Sequence, residues 1–202
     1  IKNETIKETY TGQTINITYP TLNSTEATKA IKKYIDEEIS IFKENTDWGV
    51  DTGISPVENS DLFLTIDYRE EKSSHIHTYV FIEETYTGGA HPLHMSKTFS
   101  VSRSGKVLSV TDLFTNEKDG LFTIAPFVQK ELSSRGIGDA SQIKEGAAPT
   151  VENYQNFIPT DTSLTIIFDP YQVAAYAAGT QIVEIPLSKF KGIANPDVFT
   201  VQ

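Results

Sequence analysis

The chain has 202 residues, a net charge of −10 and no cysteine. Its 54 Ile, Val, Leu and Phe residues are enough for a packed core, which excludes a disordered tail or a fibre. The charge disfavours nucleic acid and anionic membrane faces as partners, and the lack of Cys excludes disulfides, thiol nucleophiles and thiolate metal sites.

Ile outnumbers Leu by 21 to 10, and there are 24 Thr. β-Branched side chains suit a pleated surface, so the chain should be rich in strands. Ile6 to Tyr10 and Thr14 to Tyr19 read as a hairpin around a Thr11-Gly12-Gln13 turn, with Ile15, Ile17 and Tyr19 on one face. Pro20 should end the second strand. Asn23, answered by Glu26, should cap a helix over about 24–44. Ile31, Tyr34, Ile35, Ile39 and Phe42 form its apolar stripe and Lys29, Lys32, Lys33, Asp36 and Glu37 its polar face. Residues 45–60 read as a loop.

Two strands follow, Leu62 to Glu70 and His75 to Tyr86. In the second, Ile76, Thr78, Val80 and Ile82 should share one face and His75, His77, Tyr79 and Phe81 the other. Lys97 to Val101 and Lys106 to Val110 form a hairpin through Ser102-Arg103-Ser104-Gly105. Pro126 argues for a second, shorter helix from about residue 126 to Arg135, with Gly136 as its stop. Leu164 to Phe168 and Gln181 to Pro186 are further strands. Asp169-Pro170 reads as a helix start. The expected fold is α+β: a mostly antiparallel sheet with one long packed helix and a second shorter one, in halves 1–92 and 93–202 of one compact unit.

Chemistry is sparsely signposted. His75, His77, His91 and His94 cluster in sequence, but no spaced carboxylate or helical His motif completes a zinc set, so no metal is expected. There is no nucleophile elbow and no phosphate loop. Two strings stand out. In Thr87-Gly88-Gly89-Ala90-His91-Pro92, paired glycines at a strand exit allow positive φ. That loop faces a ligand or is a tight structural turn. In Phe168-Asp169-Pro170-Tyr171, continuing to Tyr176-Ala177-Ala178-Gly179, the two tyrosines either offer a stacking surface for a sugar or anchor a loop to the core.

Together with Phe99 to Lys106, Thr111-Asp112-Leu113-Phe114 and Val183-Glu184-Ile185-Pro186, these strings resemble a bacterial extracytoplasmic module of the RsiV/PdaC type. The pattern has Pro where Ala175 stands here, and a polar residue where Leu93 follows Pro92. The resemblance implies an α+β fold outside the cytoplasmic membrane and no catalysis or cofactor. The implied role is binding or sensing at the cell envelope, with a basic lysozyme-like protein or a peptidoglycan fragment as partner. Gly88, Gly89, His91, Tyr171 and Tyr176 are the candidate ligand-binding residues. The alternative is a hydrolase of envelope glycans working through an unrecognised carboxylate pair. The chain starts at Ile1 without an initiator Met, which fits a removed N-terminal signal or anchor.

Overall fold

The computed structural model describes residues 2–48 and 61–199. The loop expected over 45–60 lies, from residue 49 onward, outside the described residues. The architecture is α+β, with a six-stranded sheet in the order β1-β2-β3-β4-β5-β6 and a three-stranded sheet in the order β7-β8-β9. β1 is Lys2–Tyr10, β2 Gln13–Thr21, β3 Leu62–Lys72, β4 Ile76–Tyr86, β5 Leu93–Ser102 and β6 Val107–Leu108. β7 is Phe157–Pro159, β8 Ser163–Phe168 and β9 Gln181–Pro186. The helices are α1 Thr25–Asn45, α2 Glu117–Ser134 and α3 Ala140–Gly146. Contacts divide the chain into unit 1, residues 1–69 and 81–95, and unit 2, residues 70–80 and 96–202, so that β3, β4 and β5 each contribute to both. Among the described residues, no helix is long and apolar enough to cross a membrane.

In unit 1 the β1–β2 hairpin is antiparallel, with Ile6 opposite Ile17. Thr11 and Gly12 both adopt positive φ, at 32° and 76°. That is the geometry of a two-residue turn whose twist matches the strands. Pro20 does not end β2, which runs on to Thr21 with Pro20 opposite Asn3. β2 pairs with β3 in parallel, Ile15 beside Leu64 and Ile17 beside Ile66. The pairings β1–β2, β5–β6, β7–β8 and β8–β9 are antiparallel.

Helix α1 buries Ala27, Ile31, Ile35 and Phe42, which fits the expected stripe. Its cap is Ser24 rather than Asn23, the hydroxyl accepting from the Ala27 N–H at 3.1 Å. On the outer face Lys32 pairs with Asp36 and Lys33 with Glu37, one turn apart. The inner face meets β4, where Tyr34 donates to Glu83 at 3.0 Å and lies edge-on to Phe81.

The buried side of β4 changes along its length. Ile76, Thr78 and Val80 are buried in unit 2, and Tyr79, Phe81 and Glu83 are buried on the alternate positions, whereas Ile82 is 52% exposed. Strict alternation would have hidden Ile82 and exposed Glu83. Partners decide otherwise: Val80 packs with Ile158 and Ile167, while Glu83 is satisfied by Tyr34.

The core of unit 2 lies between α2 and the three-stranded sheet, where Leu121, Ile124 and Val128 meet Leu164, Ile166 and Val183. α2 begins nine residues before Pro126 instead of at it. Asn116 caps it by accepting from Lys118 and Asp119, and Gly120 lets the helix press against the Phe114 ring, where a Cβ would come within 2.1 Å. Those contacts outweigh the hydrogen bond that Pro126 removes. The helix stops at Gly136, with φ 64°, as expected.

Candidate functional site

The segment after β8 is held from several sides within unit 2. Asp169 is 7% exposed and caps no helix, contrary to the sequence expectation. Its Oδ1 accepts from the Ser96 N–H at 2.8 Å and its Oδ2 from Asn156 Nδ2 at 3.3 Å. Asn156 in turn donates to the Ser96 carbonyl and accepts from the Thr98 N–H. Burial pushes the Asp169 carboxyl above its usual range, while the Ser96 bonds and the Lys97 charge pull the other way. With both oxygens engaged by the fold, Asp169 serves to hold the segment in place.

Beyond Pro170 the chain turns at Tyr171, which has φ 72°, a conformation uncommon for a residue with a bulky side chain. Its neighbours hold it there. Gln142, on α3, donates to the Tyr171 carbonyl at 2.9 Å. Gln172 donates to the carbonyls of Gly146 and Asn153, both at 3.0 Å. Gly146 and Gly138 provide the room: a Cβ on Gly146 would stand 1.9 Å from the Gln172 oxygen, and one on Gly138 would stand 2.8 Å from the Val173 oxygen. Val173 and Ala174 are buried beneath. Ala175 has φ −60°, the value proline imposes, so the missing Pro leaves the backbone path unchanged.

This clamp presents Tyr171, 56% exposed, against Tyr176 with ring centroids 5.5 Å apart and planes tilted by 36°. The two expected tyrosines therefore come together as one aromatic surface. Strain retained at an exposed aromatic is a feature of ligand-facing sites. The supporting residues Gln142, Gly146 and Asn156 were not singled out in the sequence. α3 is only seven residues long, too short to show periodicity, and its signal was the cap Asp139, which accepts from Ser141.

The glycine loop lies in unit 1. Gly88 has φ 99°, and Gly89 has no positive φ. Tyr86 donates to the Gly89 carbonyl at 2.9 Å and its ring lies beside Phe63, which fixes the turn. Gly88, Gly89 and His91 are exposed, and His91 Nδ1 contacts its neighbour's carbonyl, that of Pro92, at 2.9 Å.

The other histidines disperse. His75 precedes β4 and lies in the turn rather than on the strand beside His77. His77 contacts Glu70 at 2.8 Å, and His94 lies 3.8 Å from Glu84. Burial acts to raise the Glu70 carboxyl, but hydrogen bonds from His77 and Lys72 outweigh it and hold it low. Among the described residues, no three His, Asp or Glu side chains gather as a metal set.

The chain is 31% identical over 188 residues to the peptidoglycan-N-acetylmuramic acid deacetylase PdaC of Bacillus subtilis, covering 90% of this chain and 39% of that protein. It is 32% identical over 102 residues to the immunogenic protein MPT64 of Mycobacterium tuberculosis, covering 50% of this chain and 44% of that one. It thus spans about two-fifths of the length of these relatives. A DUF3298 family protein of Pseudomonas aeruginosa shares the fold with a TM-score of 0.68 at 15% identity, over 98% of this chain and 96% of that one. A DUF3298 member from Bacteroides fragilis does so with a TM-score of 0.62 at 18% identity, over 96% and 93%. Residues 111–188, which run from the turn before α2 to just past β9 and include the tyrosine platform, match the family described as "Protein of unknown function (DUF3298)".

Proposed function

We propose that the chain is a non-catalytic binding or sensing domain of the bacterial cell envelope, placed outside the cytoplasmic membrane. The observation that carries this reading is the Tyr171–Tyr176 pair, with Tyr171 exposed and its backbone held by Gln142, Gln172 and Gly146. A preformed aromatic surface loses little side-chain entropy on binding. The similarity to PdaC, whose name gives peptidoglycan as its substrate, supports an envelope setting.

A basic protein of the lysozyme type is the first partner to try, by the RsiV-type resemblance and by charge. Unit 1 holds 14 of the 27 acidic residues against 7 of the 17 basic ones. Opposite charge speeds encounter and weakens with salt. Titration calorimetry against lysozyme at low and physiological salt tests this partner, with Tyr171→Ala and Tyr176→Ala alongside. Heat at both salts that falls in the tyrosine variants is the expected result. No heat at low salt removes this partner. Heat that vanishes at physiological salt and ignores both variants reduces the attraction to unspecific charge.

A further inference from the structure

The platform lies in a stretch of unusual composition. Residues 170–183 contain no Asp, Glu, Lys, Arg or His, although the chain has 44 charged residues among 202. Asp169, just before this stretch, is buried and hydrogen-bonded by Ser96 and Asn156. Arg135 reaches Gln181 at 3.4 Å but is paired with Glu131, so a charged ligand gains no ion pair from the segment that carries the rings. The rings pack against each other with centroids 5.5 Å apart and planes tilted by 36°, and Tyr176 is half-buried, so π faces are open to solvent mainly at Tyr171, which is 56% exposed. Such faces are electron-rich and attract polarised C–H bonds, while hydroxyls at the rim of a ligand stay in water or meet amides. A pyranose ring has that division: axial C–H groups on one face and hydroxyls around its edge.

We propose that the Tyr171–Tyr176 platform binds the C–H face of a neutral pyranose in a glycan chain. This rests on the reading of the chain as an envelope-binding domain and narrows its ligand. A basic protein is drawn by charge, which the acidic residues of unit 1 supply and this segment does not.

The test is an NMR titration of the isotopically labelled chain with chitotetraose, a neutral tetramer of N-acetylglucosamine, at low and high salt. Shifts centred on Tyr171, Tyr176 and residues 170–180, with affinity unmoved by salt, are expected. Tyr171→Asn removes the ring while tolerating the left-handed backbone. It should weaken binding roughly tenfold, equivalent to about 1.4 kcal/mol. Tyr171→Phe should retain most of the affinity, and Tyr176→Ala, a second removal at an ordinary position, should weaken it similarly. No shifts at millimolar tetramer, or saturable binding indifferent to both ring deletions, overturns the proposal. The same titration with lysozyme separates the two readings. If lysozyme shifts Tyr171 and the tetramer does not, the glycan assignment fails and the binding-domain reading stands. If neither binds, both fail.

Discussion

Gly146→Ala should destabilise the protein and loosen Tyr171, although it replaces a helix residue with the best helix former. On helix propensity alone, alanine would gain about 1 kcal/mol over glycine. The steric contribution runs the other way and is larger. The new Cβ would stand 1.9 Å from the Gln172 carbonyl oxygen, 2.7 Å from its carbon and 3.2 Å from Val173 Cγ1. The obstruction is backbone rather than a flexible side-chain tip, so α3 and the 171–173 segment must separate by roughly 1 Å. Overpacking of this kind costs about 1–3 kcal/mol, and the Gln172 bonds to Gly146 and Asn153 stretch with it, at about 1 kcal/mol each. A net loss of about 2–4 kcal/mol remains. For a chain of this length that lowers the melting temperature by roughly 5–15 °C. Thermal unfolding followed by near-ultraviolet circular dichroism measures it, and the Tyr171 and Tyr176 resonances should shift in the folded variant. Gly89→Ala, with nothing within 4 Å and an ordinary φ, is the control and should melt close to the parent. A Gly146→Ala protein that melts at or above the parent temperature would refute the clamp.

Asp169 has its folded pKa raised, so the folded state holds this proton more tightly than the unfolded chain, whose value is about 3.9. Its contribution to stability should therefore fall as pH rises from below that value through the raised folded one, and level off above. Urea unfolding of the parent and Asp169→Asn across that window should show their stability difference shrinking with rising pH; a rising difference sinks the assignment. Gly88→Val should cost on the order of 1–3 kcal/mol because of its φ of 99°, whereas Gly89→Val should be far milder. Equal melting temperatures for the two would contradict this. Pro126→Ala should stabilise by about 1–3 kcal/mol, since it restores the N–H that a helix interior donates to the carbonyl four residues back, here that of Phe122. A lower melting temperature would show that the proline ring contributes packing.

Elements with a one-sided environment were legible in the sequence. Ile31, Ile35 and Phe42 face a single core, so helical spacing located α1; Ile15, Ile17, Leu64 and Ile66 did the same for β2 and β3. Legibility failed where partners distant in sequence decide. Local rules placed Asp169 at a helix start, but its oxygens serve Ser96 and Asn156. They started α2 at Pro126, when the Asn116 cap and the fit of Gly120 under Phe114 start it earlier. They set Ile82 on one face with Ile76, Thr78 and Val80, which are buried while Ile82 is exposed, because β4 is covered on both faces along part of its length. The tyrosines of the candidate site were visible as residue types. Their pairing was not, since it depends on the contacts of Gln142, Gln172 and Gly146 that bend the chain at Tyr171.

Strand β6 covers β5 only at Ser100 and Val101. The N–H and C=O groups of Ser96 and the N–H of Thr98 would otherwise form an open template, to which a second chain could add by ordinary sheet pairing. Asn156 and Asp169 occupy these groups with side-chain amide and carboxylate, imitating a neighbouring strand without supplying one. The same two residues that hold the tyrosine segment thus also guard this margin against edge-to-edge aggregation. An Asn156→Ala chain loses both functions at once: it frees backbone groups on β5 while loosening the support of the aromatic surface, and its self-association should grow with concentration in step with the loss of binding.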